Sequence, residues 1–172
     1  MSSCSVAASG NLLKTMEPSF AKLLAKLADA RVRFIVVGGV AVTLNGYARL
    51  TEDVDVLIEA SHSNIEALLV ALSDYGEGFA RELSMEDFND DEGAIRIVEE
   101  TEQCQIDVFT RMSGLHYEDF VSDAGRVEVA GKDVLFASKA TLIRLKSGSV
   151  REKDRLDVMA LQKLIADPHA LD

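Results

Sequence analysis

The apolar positions change period along the chain, and each change marks an element. After Pro18, a favoured first-turn helix residue, Phe20, Leu23, Leu24 and Leu27 recur at helical spacing, which predicts an amphipathic helix over 18–30. Arg33 to Val37 is a short run rich in β-branched residues that stops at Gly38-Gly39, the pattern of a strand running into a turn. Val40 to Leu44 reads as a short helix closed by Asn45-Gly46. Asp53-Val54-Asp55-Val56 alternates before Leu57-Ile58 turns fully apolar, so 53–58 is expected to be a strand half-buried at its start. Ser63 is placed to cap a helix reaching Ser73, with Glu66 where a capping box requires an acid. A loop at 89–93 then precedes strands expected at 94–99 and 103–109, joined by a turn. Helices over 138–147 and 152–166 follow, broken by Ser147-Gly148-Ser149. This order predicts an α/β or α+β domain built on a mixed sheet. It divides the chain into a flexible N-terminal tail over 1–16, a core over 17–137 and a C-terminal helical segment over 138–172.

Charge narrows the function. Eighteen basic residues stand against 29 acidic ones among 172, a net charge of −11. A general nucleic-acid coat or a binder of anionic membranes needs a positive field, so both are excluded, while a local basic patch is not. The acids are unevenly placed. Residues 82–102 hold nine of them and one base, Arg96, whereas from Arg126 onward nine bases face seven acids. Cys4 and Cys104 are too few for a disulfide framework or a four-thiolate zinc site and suit a reducing, cytoplasmic setting. No apolar run is long enough to span a membrane, and the first ten residues lack the pattern of a signal peptide. His62, His116 and His169 are scattered in polar contexts, which argues against a zinc site.

The candidate chemistry lies between Gly38 and Ile58. Residues two apart on a strand share a face at roughly 6.5–7 Å between Cα atoms. Asp53 and Asp55 would therefore point the same way at the mouth of an apolar strand. They form either a solvated strand end or half of a site for a hard divalent cation bound by oxygen. Gly38-Gly39, between strand and helix, forms either a tight turn or a place where backbone amides approach phosphate. Neither a third glycine nor a Gly-Lys-Ser/Thr ending follows, which excludes a dinucleotide fingerprint and a Walker loop. Asp107 sits inside the apolar run Cys104–Phe109, where an unpaired charge would be costly, so it needs a base, backbone amides or a metal. Glu99, Glu100 and Glu102 are expected in a water-exposed turn.

Gly38-Gly39, the short helix, Asp53-Val54-Asp55 and Asp107 together resemble the DNA polymerase β-like nucleotidyltransferase superfamily, in its small minimal branch. The longer string Gly38, Gly39, Ala41, Gly46, Arg49, Thr51, Asp53 and Asp55 is similar to that of bacterial nucleotidyltransferase-like proteins associated with toxin–antitoxin systems. Lys146, Arg151, Lys153, Asp154 and Asp157 stand in the order of their C-terminal helical motif. The resemblance covers about residues 33–165 except the acidic middle. It implies a nucleotidyltransferase-like mixed sheet flanked by helices, with C-terminal helices packed on the core. It implies an enzyme that moves a nucleoside monophosphate from a nucleoside triphosphate such as ATP to a hydroxyl on RNA, tRNA, protein or a small molecule. Mg2+, or Mn2+ in its place, would be held by Asp53, Asp55 and Asp107, the catalytic acids. Gly38, Gly39, Arg49, Thr51, Lys146 and Lys153 would bind the nucleotide. For the basic residues the rival is ordinary ion pairing on a helix surface, Lys153 or Arg151 with Asp154. The rival for the whole chain is an inactive module of the same fold that binds a cognate toxin or antitoxin protein.

Overall fold

The computed structural model describes residues 16, 18–101 and 103–172, without the side chain of Phe79. The expected N-terminal tail lies outside the described residues except for Met16, which is buried. Helix α1 (Pro18–Asp29) buries Phe20, Leu23, Leu24 and Leu27, the four residues whose spacing predicts it. Strand β1 (Phe34–Val37) is buried along its whole length and leads directly into α2 (Gly38–Leu44). Strand β2 (Asp53–Ile58) keeps Asp53 and Asp55 half-exposed while Val54 and Val56–Ile58 are buried, as the alternation predicts.

Helix α3 (His62–Ala71) begins earlier than expected. Its cap is Ser61, whose hydroxyl accepts from the Asn64 amide at 3.4 Å, and not Ser63. The cause is tertiary. The buried Asn64 side chain accepts from Arg33 N at 2.7 Å and donates to the carbonyls of Arg33 and Glu59, which ties the helix start to the neighbouring strands.

Two short 3-10 segments, Gly76–Glu82 and Met85–Asp87, lead to β3 (Ile95–Glu99) and β4 (Cys104–Phe109). Glu99 departs from the expected exposed turn. It is buried, and one carboxylate oxygen accepts from Gly76 N at 2.8 Å. Glu100 is exposed as expected, and Glu102 lies outside the described residues. Next come α4 (Tyr117–Val121) and a hairpin of β5 (Gly125–Val129) and β6 (Lys132–Phe136). None of these three is expected from the sequence. The hairpin loop is Ala130-Gly131 with φ of 48° and 81°, a left-handed two-residue turn normally marked by Asn or Asp before Gly. With Ala in that place the turn signal is lost, although Val127, Val129 and Val134 do alternate inward. Helices α5 (Lys139–Lys146) and α6 (Glu152–Ala166) close the chain.

The six strands form one mixed sheet in the order β3-β4-β2-β1-β6-β5. The β1/β2, β3/β4 and β5/β6 pairs are antiparallel, whereas β2/β4 and β1/β6 are parallel. Helices flank the sheet, giving the mixed α/β class expected. Because β1, β2 and β4 are central, their side chains are held by partners on both edges, which is what a precisely placed set of carboxylates requires. Among the described residues no helix is long and apolar enough to cross a membrane.

Candidate active site

Register brings the acids together. In the parallel β2/β4 pair Asp55 lies opposite Asp107, and Asp53 opposite Gln105. Residues directly opposite on neighbouring strands point to the same face. Asp53, Asp55 and Asp107 each offer a carboxylate oxygen, and these oxygens all lie within 4.8 Å of one another. Among the described residues this is the group of acids, histidines and cysteines that could hold a metal ion.

The third neighbour is the strand-to-helix turn. Val37 lies opposite Asp55, so the next residue backs onto the Asp55 carboxylate. Gly38 has φ +64°, and a Cβ there would stand 2.1 Å from Asp55 Oδ2. Glycine is required twice over, by the left-handed backbone and by the close approach. At Gly39 a Cβ would meet Thr51 Oγ1 at 2.9 Å and the Arg49 guanidinium at 3.0 Å, so the volume a second side chain would fill is already taken.

All nine residues expected at the site line one cleft of about 270 Å³: Gly38, Gly39, Arg49, Thr51, Asp53, Asp55, Asp107, Lys146 and Lys153. Arg96, Phe109, Arg151 and Asp154 complete its lining. Strands β2 and β4 supply acids to one wall, and the α5–α6 region supplies bases to the other.

The bases are engaged differently from one another. Arg49 makes a two-pronged ion pair with Asp157, Nε to Oδ1 at 2.7 Å and Nη2 to Oδ2 at 2.8 Å. The Asp157 side chain is fully buried. Lys146 Nζ bridges Asp154 Oδ1 at 2.9 Å and Asp157 Oδ2 at 3.0 Å, and Ser149 Oγ donates to the other Asp154 oxygen at 2.8 Å. Arg151 reaches Asp154 only at 3.8 Å, and Lys153 makes no hydrogen bond or ion pair among the described residues. Arg49 and Lys146 thus fasten the loop before β2 to α5 and α6, while Arg151 and Lys153 stand exposed at the rim.

Arg96 is the residue that sequence reasoning missed. It projects from β3 opposite Asp107 and grips it, Nε to Oδ1 at 2.9 Å and Nη2 to Oδ2 at 3.0 Å, with Asp53 at 3.8 Å. The sequence contains a usable signal. A tight turn between two strands expected at 94–99 and 103–109 sets Arg96 across from Ile106 or Asp107, and a lone base in an acidic block then finds its acid.

The electrostatics of the trio follow from burial and crowding. Burial first, then the Asp53 and Asp107 charges, pushes the Asp55 carboxyl up to about 7. Burial and the Asp107 charge also raise Asp53, against the opposing pull of Arg96 and Lys153. At Asp154 burial pushes upward too, but the hydrogen bonds from Lys146 and Ser149 win and hold its carboxyl below the usual range.

A sheet face bearing three convergent carboxylates, with a glycine turn against one of them and a basic opposite wall, offers the oxygen donors that a divalent cation takes. The chain belongs to the family of nucleotidyltransferases of unknown function (DUF6036), whose model matches residues 13–167. It is similar at 20% identity to an antigenic nucleotidyltransferase-like protein from Paracoccidioides brasiliensis, a crystal structure. That likeness covers 89% of this chain and 76% of the other, with a TM-score of 0.48. No curated protein matches the chain.

Proposed function

We propose that the protein is a metal-dependent nucleotidyltransferase that transfers a nucleoside monophosphate from a nucleoside triphosphate to a hydroxyl. The observation that carries this is the meeting of Asp53, Asp55 and Asp107 within 4.8 Å in a chain of a nucleotidyltransferase family. The donor set suits a divalent cation. Three carboxylates faced by one guanidinium keep an excess of negative charge, and hard oxygen ligands match Mg2+ or Mn2+. Bound there, such a cation supplies charge neutralisation for the phosphates and lowers the pKa of the acceptor hydroxyl.

The remaining roles fall to the chain itself. Asp53 and Asp55 hold the cation, and Asp107 completes the set on the acceptor side. Gly38 and Gly39 let the backbone lie against the phosphates at the start of α2. Lys153 and Arg151, exposed at the rim, neutralise the triphosphate, while Arg49 and Lys146 keep that rim fixed against β2. In the transfer the acceptor oxygen bonds to the α-phosphorus. The α–β bridging bond breaks, pyrophosphate leaves with the electron pair, and the hydroxyl proton passes to Asp107.

The Arg96 clasp favours a second reading, an inactive module of this fold that binds a cognate toxin or antitoxin protein, because the trio is already partly neutralised from within. One experiment separates them. Offer four labelled triphosphates with Mg2+ to the protein together with total RNA and soluble host protein. Transfer to any acceptor, lost by roughly 10³-fold or more in Asp53→Asn and Asp55→Asn while both variants remain folded, supports the enzyme. Equal labelling in either variant removes the metal role.

A further inference from the structure

Arg96 holds Asp107 from an exposed position at the rim of the sheet. It stands on β3, an edge strand, and 59% of its side chain is exposed although it grips a carboxylate that is only 7% exposed. The guanidinium end of the pair is open to water, whereas the Asp107 end is buried. Moreover, Arg96 lines two hollows at once. Its guanidinium borders the carboxylate cleft, and its residue also borders a separate groove of about 230 Å³ between β3 and the 3-10 segment Gly76–Glu82. That groove is floored by Ala80, Leu83 and Ile97, which suit the aliphatic stem of an arginine, and it carries two acids, Glu77 and Glu100.

Resting on the cation site proposed above, we propose that Arg96 is a two-position latch on that site. In one position it occupies the cation's place at Asp107. In the other it turns into the adjoining groove, toward Glu77 and Glu100, and leaves all three carboxylates to a divalent cation. The physical reason is exclusion: a guanidinium bound two-pronged to Asp107 uses both of its oxygens, so cation and Arg96 compete for the same ligand. The affinity of the cation is therefore reduced by the fraction of molecules in which Arg96 holds Asp107. No residue of the trio changes; the latch sets how much cation is needed to complete the site.

The test is a titration with Mn2+ alone, without nucleotide, following the free ion by electron paramagnetic resonance. Arg96→Gln is expected to bind Mn2+ roughly tenfold more tightly than the natural protein, because the competitor is gone. The pair Glu77→Gln with Glu100→Gln is expected to bind it more weakly, because the groove no longer receives the guanidinium. In an Arg96→Gln background the same two changes should have no effect, a result that a general loss of negative charge would not give. Unchanged Mn2+ affinity in Arg96→Gln, with the natural protein binding the ion, overturns the latch and leaves the cation site standing. Absence of Mn2+ binding in both overturns the cation site and the latch with it. An Asp55→Asn control shows that the ion measured is the one at the trio.

Discussion

The acids in and behind the cleft form two clusters, and they are balanced in opposite ways. Asp154 and Asp157 meet Arg49 and Lys146 at 2.7–3.0 Å, two negative charges against two positive. Asp157 has no exposed side-chain surface, and every close partner is a fixed member of the fold. In the trio one guanidinium meets Asp107 and, at 3.8 Å, Asp53, while burial first and then the Asp53 and Asp107 charges push Asp55 up to about 7. A set of charges compensated by its own chain holds the molecule together. A set left short of compensation costs folding free energy, which is what the function proposed above would explain.

The contrast is broken most directly by exchanging one acid in each cluster. Asp157→Asn strands Arg49 and Lys146 beside a buried amide and should cost about 3–5 kcal/mol in chemical denaturation, the range for breaking a buried pair. Asp55→Asn should raise the stability of the metal-free protein near neutral pH while removing Mn2+ binding. Equal destabilisation by the two changes would show that both clusters are structural.

The next effect concerns the glycine turn against Asp55. Gly38→Ala forces a Cβ to within 2.1 Å of Asp55 Oδ2 on a backbone with φ +64°, and should cost on the order of 1–3 kcal/mol. Combining it with Asp55→Ala sharpens the comparison. The carboxylate clash is then gone, leaving the backbone strain and a tight 3.0 Å approach to the Cβ of position 55, so the double variant should lose less than the sum of the single ones.

The smallest effect is the pH dependence of the metal-free protein. An unfolded aspartate titrates near ~3.9, and folding raises Asp55 to about 7. The folded state therefore holds the proton more tightly than the unfolded state. The penalty on stability is absent below the unfolded value, grows as pH rises between the two, and is complete above the folded one. Asp53, also raised, acts with the same sign. The melting temperature should fall between about pH 4 and pH 7, and Asp55→Asn should flatten that slope. Asp154, held low, changes stability at acid pH instead, where protonation would weaken its bonds to Lys146 and Ser149. A melting temperature that rises over the same interval would contradict the imbalance assigned to the trio.

Much of this was open to reading along the chain. Local patterns carry α1, β1, α2, β2, β3, β4 and the two C-terminal helices, because their apolar residues repeat at the period of the element that buries them. The string from Gly38 to Asp55, with Asp107, picks out residues that do share a cleft, since the chemistry of glycine turns and paired carboxylates is local and specific. The β5–β6 hairpin was missed because Ala130 stands where a turn-forming Asn or Asp would have announced it. The Ser61 cap was missed because Asn64 is drawn to Arg33, a contact 31 residues distant.

What the sequence determined by itself is therefore the inventory: which segments form helices and strands, and which residues carry the acids, glycines and bases. What only the tertiary structure decided is the pairing. The order β3-β4-β2-β1 sets Asp107 beside Asp55 and hands it to Arg96, while the packing of α5 and α6 gives Arg49 and Lys146 to Asp157. Charges interact over a few ångströms in space, irrespective of their separation along the chain. Whether a given acid is compensated is thus fixed by register and packing, and sequence spacing carries that information only where one hairpin turn does the folding.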